Sequence, residues 1–145
     1  MTTYLDATPE AGKAFYQKFH QKGSITMLNL LRFKAKADYS ELRGLRPDAE
    51  ISGREAYTMY LQCIAPLLNK AGSEILFSGA GSDFVIGPEN ESWDMILLVR
   101  HASVSAFLEF ARSNEYLRYA GHRTAGLEDS RLLPIIADPV AGSVS

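Results

Sequence analysis

Residues 25–34 read ITMLNLLRFK. Counted in twos, Ile25, Met27, Leu31 and Phe33 fall on one side, and Leu28 and Leu30 on the other. A strand places alternate side chains on opposite faces, so this one is apolar on both and suits a sheet covered on two sides. Its two polar interruptions, Asn29 and Arg32, lie on opposite faces.

Working outward toward the N-terminus, Thr8 and Pro9 announce a helix over 9–22. A threonine can cap the first turn, and proline suits the first helical position, where no N–H is needed. Ala11, Ala14, Phe15 and Phe19 form its apolar stripe, and Gly23 marks the stop. Beyond the strand, residues 35–51 mix charges with Gly44 and Pro47 and read as a long loop. Ser52 and Glu55 then make a capping box. The helix they open carries Tyr57, Tyr60, Leu61, Ile64, Leu67, Leu68 and Ala71 at helical spacing, with Pro66 inside it and Gly72 at its end.

A strand follows over about 74–79, with a glycine-rich turn and a short continuation toward Ile86. Residues 93–100, WDMILLVR, form the next strand, again apolar on both faces. Ser103 caps a helix bearing Phe107, Leu108 and Phe110, and Ser113 caps a second, short one bearing Tyr116 and Leu117. SRLLPII at 130–136 reads as the last strand, at an edge because Pro134 lacks a ladder donor. Without the first helix the order is β-α-β-β-α-β, an α+β ferredoxin-like arrangement with a four-stranded antiparallel sheet. Such a sheet carries helices on one face only. Strands apolar on both faces therefore predict a homodimer through the open face, a dimeric α/β barrel.

The 145 residues suit one domain, 1–145, with a core over about 25–136 and a loose tail at 137–145. The net charge is −2 with no block of like charge, which argues against nucleic acid or a membrane surface as partner. The lone cysteine, Cys63, excludes an internal disulfide. No apolar run approaches the ~20 residues of a membrane span. The first residues lack a basic stretch followed by an apolar run, so a cytoplasmic location is expected.

Several segments in order resemble the DUF1330 family of the dimeric α/β barrel superfamily: APLLNKAGSEILFSG, WDMILLVR, SVSAFLEF with SNEY after it, and RTAGLEDSRLLPI. The resemblance spans about 25–136 and implies the same ferredoxin-like fold, and it implies that Arg123 and Ser130 recur among relatives. The superfamily includes cofactor-free monooxygenases, isomerases, haem enzymes and ligand-sensing domains, so the fold alone leaves the chemistry open. The first helix and the 35–51 insertion depart from the pattern, and either could cover or reshape a pocket.

His20, His101 and His122 are scattered without metal-ligand spacing, and no metal or cofactor is expected. GxSxG is absent, and Gly79, Gly81 and Gly87 do not make a dinucleotide loop. What remains are polar groups that interrupt apolar strands: Asn29, Arg32, Asp94 and Arg100. One reading is structural ion pairing, because a lone buried charge is costly. The other is a pocket between sheet and helices, with Asn29, Arg32, Tyr57, Tyr60, Arg100 and Arg123 as polar contacts and Phe77 and Trp93 as aromatic walls. On that reading the protein is a homodimer that binds a small molecule. The alternative is a cofactor-independent oxygenase or isomerase acting on a small aromatic or acidic metabolite, with His122 or Asp94 as acid/base.

Overall fold

In a computed structural model, which describes residues 2–137, Thr8 caps α1 (Pro9–Phe19) by accepting the Ala11 N–H at 3.1 Å. This helix ends at Phe19, short of the expected 22, and Gly23 takes the left-handed conformation that turns the chain into β1 (Ile25–Phe33). Both bonds of the capping box that opens α2 (Gly53–Lys70) are formed, at 2.8 and 3.0 Å, and the helix carries Pro66 within it. Then come β2 (Glu74–Ala80), β3 (Met95–His101), α3 (Val104–Arg112), α4 (Asn114–Gly126) and β4 (Leu127–Ile135).

Three expected boundaries move. β3 starts at Met95, and Trp93 belongs to its approach, buried beside the Asp83–Ser92 bridge. Residues 84–86 are not a continuation of β2. They project from the hairpin loop, where Val85 and Ile86 are almost wholly exposed. α4 is not short: it runs to Gly126, and β4 begins at Leu127, three residues before the expected start. The expected tail at 137–145 lies, beyond residue 137, outside the described residues.

The sheet order is β2-β3-β1-β4, all antiparallel, with the α1-free order β-α-β-β-α-β of the ferredoxin-like fold. β4 is an edge, so Pro134 forfeits no bond. Pairings Asn29↔Leu97 and Asn29↔Leu132 set one face, where Leu31, Leu97 and Val99 meet Tyr57, Tyr60, Ile64 and Leu68 of α2 and Phe110 of α3, and Ile25 and Met27 pack with Val104 and Phe107 of α3. Each such side chain contributes roughly 1.5–3 kcal/mol by leaving water. Thr26, Leu28, Leu30, Ile96, Leu98 and Leu133 occupy the opposite face, which no helix among the described residues covers. A bulge between Ile75 and Phe77 breaks the alternation of β2, sending Ile75 to the helix face and Phe77, 55% exposed, to the open one.

Residues 35–51 fold back over α2 and α4. The Ala37 N–H donates to Ile51 O and the Asp38 N–H to Ala125 O, both at 2.9 Å, and Tyr39 is buried against Ala56 and Ala125. α2 and α4 approach through glycine. The Gly53 N–H donates to Lys34 O at 3.0 Å, and the Lys34 N–H donates to Gly126 O at 2.8 Å. A Cβ on Gly126 would stand 2.5 Å from the Gly53 carbonyl oxygen. Gly126→Ala is therefore expected to lower unfolding free energy by about 1–3 kcal/mol, as overpacking does. Gly12→Ala, in α1 with open space at the Cβ position, is expected to raise it by roughly 0.5–1 kcal/mol through helix propensity. Urea unfolding of the two variants checks both signs.

Candidate functional site

Asn29, Tyr57 and Tyr60 interrupt an otherwise apolar layer between the sheet and α2. They line a cavity of about 210 Å³ together with Ile64, Leu97, Val99, His101, Phe110, Tyr116 and Arg123. Helical spacing sets Tyr57 and Tyr60 on the face of α2 that meets the sheet, their rings 5.1 Å apart. The hydroxyls of Tyr60 and Tyr116 are hydrogen-bonded at 2.9 Å. The Asn29 amide donates to the Met27 and Leu97 carbonyls through long contacts of 3.3 and 3.4 Å.

Tyr57 differs from these. It is 2% exposed, and its hydroxyl has no hydrogen-bond partner among the described residues, yet it is not enclosed by protein atoms: it borders the cavity. Burial pushes its ionisation well above the ordinary tyrosine value, offset in part by Arg123. Burial does the same to Tyr60, aided by Tyr116 and Tyr57. Both therefore remain O–H donors at neutral pH. Arg123, on the last turn of α4, donates to the Leu5 carbonyl at 2.9 Å. One side of the cavity thus carries hydroxyl and guanidinium donors; Asp6, Asn29 and His101 are its other polar groups and the remaining walls are aromatic and aliphatic, a set that suits an acceptor-rich group on an apolar body.

His101 was expected only near a strand end, but its parity with Leu97 and Val99 turns it toward the helices. Its Nδ1 lies 2.7 Å from the Ser73 hydroxyl, and its ring packs edge-on against Phe107 at 4.9 Å. Burial lowers its pKa from 6.5 to about 4. The imidazole is neutral at pH 7.

No family model matches the chain, and no curated protein matches it. Among solved structures, the RPA0582 protein of unknown function from Rhodopseudomonas palustris is 33% identical, over 92% of this chain and 96% of that one, with a TM-score of 0.79. This chain belongs to its family. A structure of methylated RPA0582 superposes with a TM-score of 0.82 at 33% identity, over 96% of this chain and 98% of that one. More distantly, a dabb family protein with a ferredoxin-like fold from Mesorhizobium loti is 6% identical, with a TM-score of 0.50 over 80% of this chain and 98% of that one. That likeness shows the fold alone.

The RPA0582-family chain brings together only part of the expected site. Asn29, Tyr57, Tyr60 and Arg123 meet at the cavity, joined by His101 and Tyr116, which sequence reasoning passed over. Arg32, Phe77 and Arg100 do not reach it, because their strand positions put them on the open face. Arg32 pairs with Asp129 at 3.3 Å, and Arg100 with Glu74 at 3.2 Å. Trp93 lies by Arg32 and Arg131, whose guanidinium carbons are 5.7 and 4.9 Å from its ring centre.

Asp94 and His122 do not line the cavity either. The Asp94 carboxylate accepts the Phe33 N–H at 2.8 Å, extending the ladder beyond β3. His122 is buried under the 35–51 segment, 2.7 Å from the Tyr39 hydroxyl. In the charged cluster near it, Asp129 pairs with Arg32 and Arg131, and Arg123 donates to the Leu5 carbonyl. Burial alone would raise the Asp129 pKa, but hydrogen bonds from the Tyr4 N–H, Arg131 and the Ser130 N–H outweigh it and hold the carboxyl below its ordinary value. Among the described residues, no group of three or more His, Cys, Asp and Glu side chains could hold a metal ion. No helix among them is long and apolar enough to cross a membrane.

Between pH 6.5 and about 4, the unfolded chain binds more protons at His101 than the folded one does. Stability therefore falls as the pH drops through that window, by up to roughly 3 kcal/mol at its lower end, and is untouched by this group above it. His122, also lowered by burial, acts in the same direction. Urea unfolding at a series of pH values should show a shallower acid loss for His101→Gln than for the wild type. Superimposable profiles would show that His101 is not held neutral.

Proposed function

We propose that this protein binds a small molecule made of a compact apolar body and an oxyanion, in the cavity between sheet and helices. The observation that carries this reading is the Tyr57 hydroxyl, which opens onto the cavity beside Arg123 with no hydrogen-bond partner among the described residues. A bound anion would accept from this open donor, and a hydrogen bond to a charged group is worth about 1.5–3 kcal/mol. The walls supplied by Tyr60, Phe110, Tyr116 and Leu97 suit an aromatic or alicyclic body. Asn29 contributes an adjustable amide, its present contacts being long.

The same reading takes the protein to be a homodimer joined through the open sheet face. Support comes from Leu28, Leu30, Ile96, Leu98, Phe77 and Leu133, an apolar surface with no helix over it among the described residues. A patch of that kind on a soluble protein marks an interface, and two-fold pairing is its commonest use. Membership of the DUF1330 family and a cytoplasmic, one-domain protein belong to the proposal too. They rest on the order of the matching segments and on cysteine usage and chain length, respectively.

A second reading, a cofactor-independent enzyme acting on the same kind of molecule, is favoured by His101. It is a neutral imidazole on the cavity wall, oriented by Ser73, and such a group can accept a proton.

Titration calorimetry with benzoate and phenylacetate tests the first reading. Wild-type protein should bind at least one of them. Tyr57→Phe should weaken binding about tenfold or more, the worth of a hydrogen bond to a charged group, while keeping its own unfolding midpoint. Equal affinity in the variant, or no heat from either acid, overturns it.

A further inference from the structure

A second, larger chamber of about 560 Å³ adjoins the first. Its walls are apolar: Ala11 and Phe15 from α1, Phe107 and Leu108 from α3, and Leu132 and Pro134 from β4. The two chambers share Leu5, Asp6, Ala7, Met27, Phe107, Leu132 and Arg123, so they adjoin along these residues, and Arg123 borders both. Residues 4–7, which line the chamber ahead of α1, are tied to β4. The Ser130 N–H and hydroxyl both donate to the Tyr4 carbonyl, at 2.9 and 2.7 Å, and the Tyr4 N–H donates to Asp129 at 2.8 Å.

α1 is the unusual wall. Its apolar stripe faces the protein, and Phe15 meets Phe107 edge-on at 5.8 Å, yet no residue of the helix is buried. The helix bridges a gap instead of filling one. Charge around the gap is one-sided: Lys18, Arg123 and Arg131 against Asp6. Arg131 is committed to Asp129 at 2.7 Å, and Lys18 lies at the outer end over the Phe19 ring, 5.6 Å from its centre. Arg123, whose bond goes to a neutral backbone carbonyl, keeps its charge for a ligand.

Resting on the reading of the inner cavity as a ligand site, we propose that the ligand is an amphipathic monocarboxylic acid whose carboxylate meets Arg123 and Tyr57 and whose apolar chain runs out beneath α1. One guanidinium and one hydroxyl match a monoanion that accepts at two oxygens. A phosphate dianion would call for more cation than this junction holds. Apart from Arg123, the cations of the outer chamber are Arg131, held by Asp129, and Lys18 at its outer end, so the stretch beneath α1 suits a hydrocarbon chain, and the extra N-terminal helix is the part of the fold that makes room for it.

The test is the affinity of butanoate, hexanoate, octanoate and decanoate for the full chain, measured by calorimetry. Each added methylene should tighten binding about fourfold while it is buried in the outer chamber. Ala11→Phe, which places a ring in that chamber, should flatten the series while leaving butanoate affinity within about twofold. Gly12→Leu, at a position with open space for a side chain, serves as an independent second block. A flat series in the wild type, or a slope that neither variant changes, overturns the chain assignment; butanoate binding in that case leaves the inner site standing. If none of the four acids binds and benzoate and phenylacetate also fail, the inner-site reading falls with it.

Discussion

The sheet is apolar on both faces, and the helices among the described residues cover only one of them. That constraint reaches most of the molecule. On the covered side, α2 and α3 press Tyr57, Ile64, Leu68 and Phe110 onto Leu31, Leu97 and Val99. The layer is not filled, because tyrosines stand where aliphatic residues would close it, and their hydroxyls need partners that a hydrocarbon core does not offer. Tyr60 finds Tyr116; Tyr57 finds none among the described residues. The cavity lies where these polar tips meet the sheet.

The position of Tyr57 depends in turn on the meeting of Gly53 and Gly126. The first turn of α2 sits against the junction of α4 and β4, where a Cβ on either glycine would collide with backbone. Three chain segments are tied there by the Lys34–Gly126 and Gly53–Lys34 hydrogen bonds. Because α4 ends at this contact, Arg123 on its last turn is delivered to the same end of the cavity as Tyr57, one turn into α2. A structural close approach and the candidate site are thus built from one joint.

Much of the fold could be read locally. Alternation in 25–33, the capping box at Ser52 and Glu55, and the edge placement of Pro134 each depend on near neighbours in sequence, and each holds. The misread boundaries depend on distant partners. Leu127 to Asp129 look like a loop until Asp129 is seen to be buried by hydrogen bonds from Tyr4, Arg32 and Arg131. The site divides the same way. Asn29 and Arg32 were already known to face opposite sides, but which side carried the helices was not. The bulge after Ile75 then sends Phe77 away from the cavity, a local irregularity with no signature in the residue types. His101 was legible in principle, since it shares its parity with Leu97 and Val99.

Cover for the second face is the claim on which the account turns. Without it, Phe77 and Leu133 would stand in water on a flat, antiparallel surface, an arrangement natural sheets avoid. Sedimentation equilibrium of the full chain at micromolar concentration addresses it directly. A species of twice 16.0 kDa is the expected result; a single species of 16.0 kDa that stays folded and soluble would contradict it.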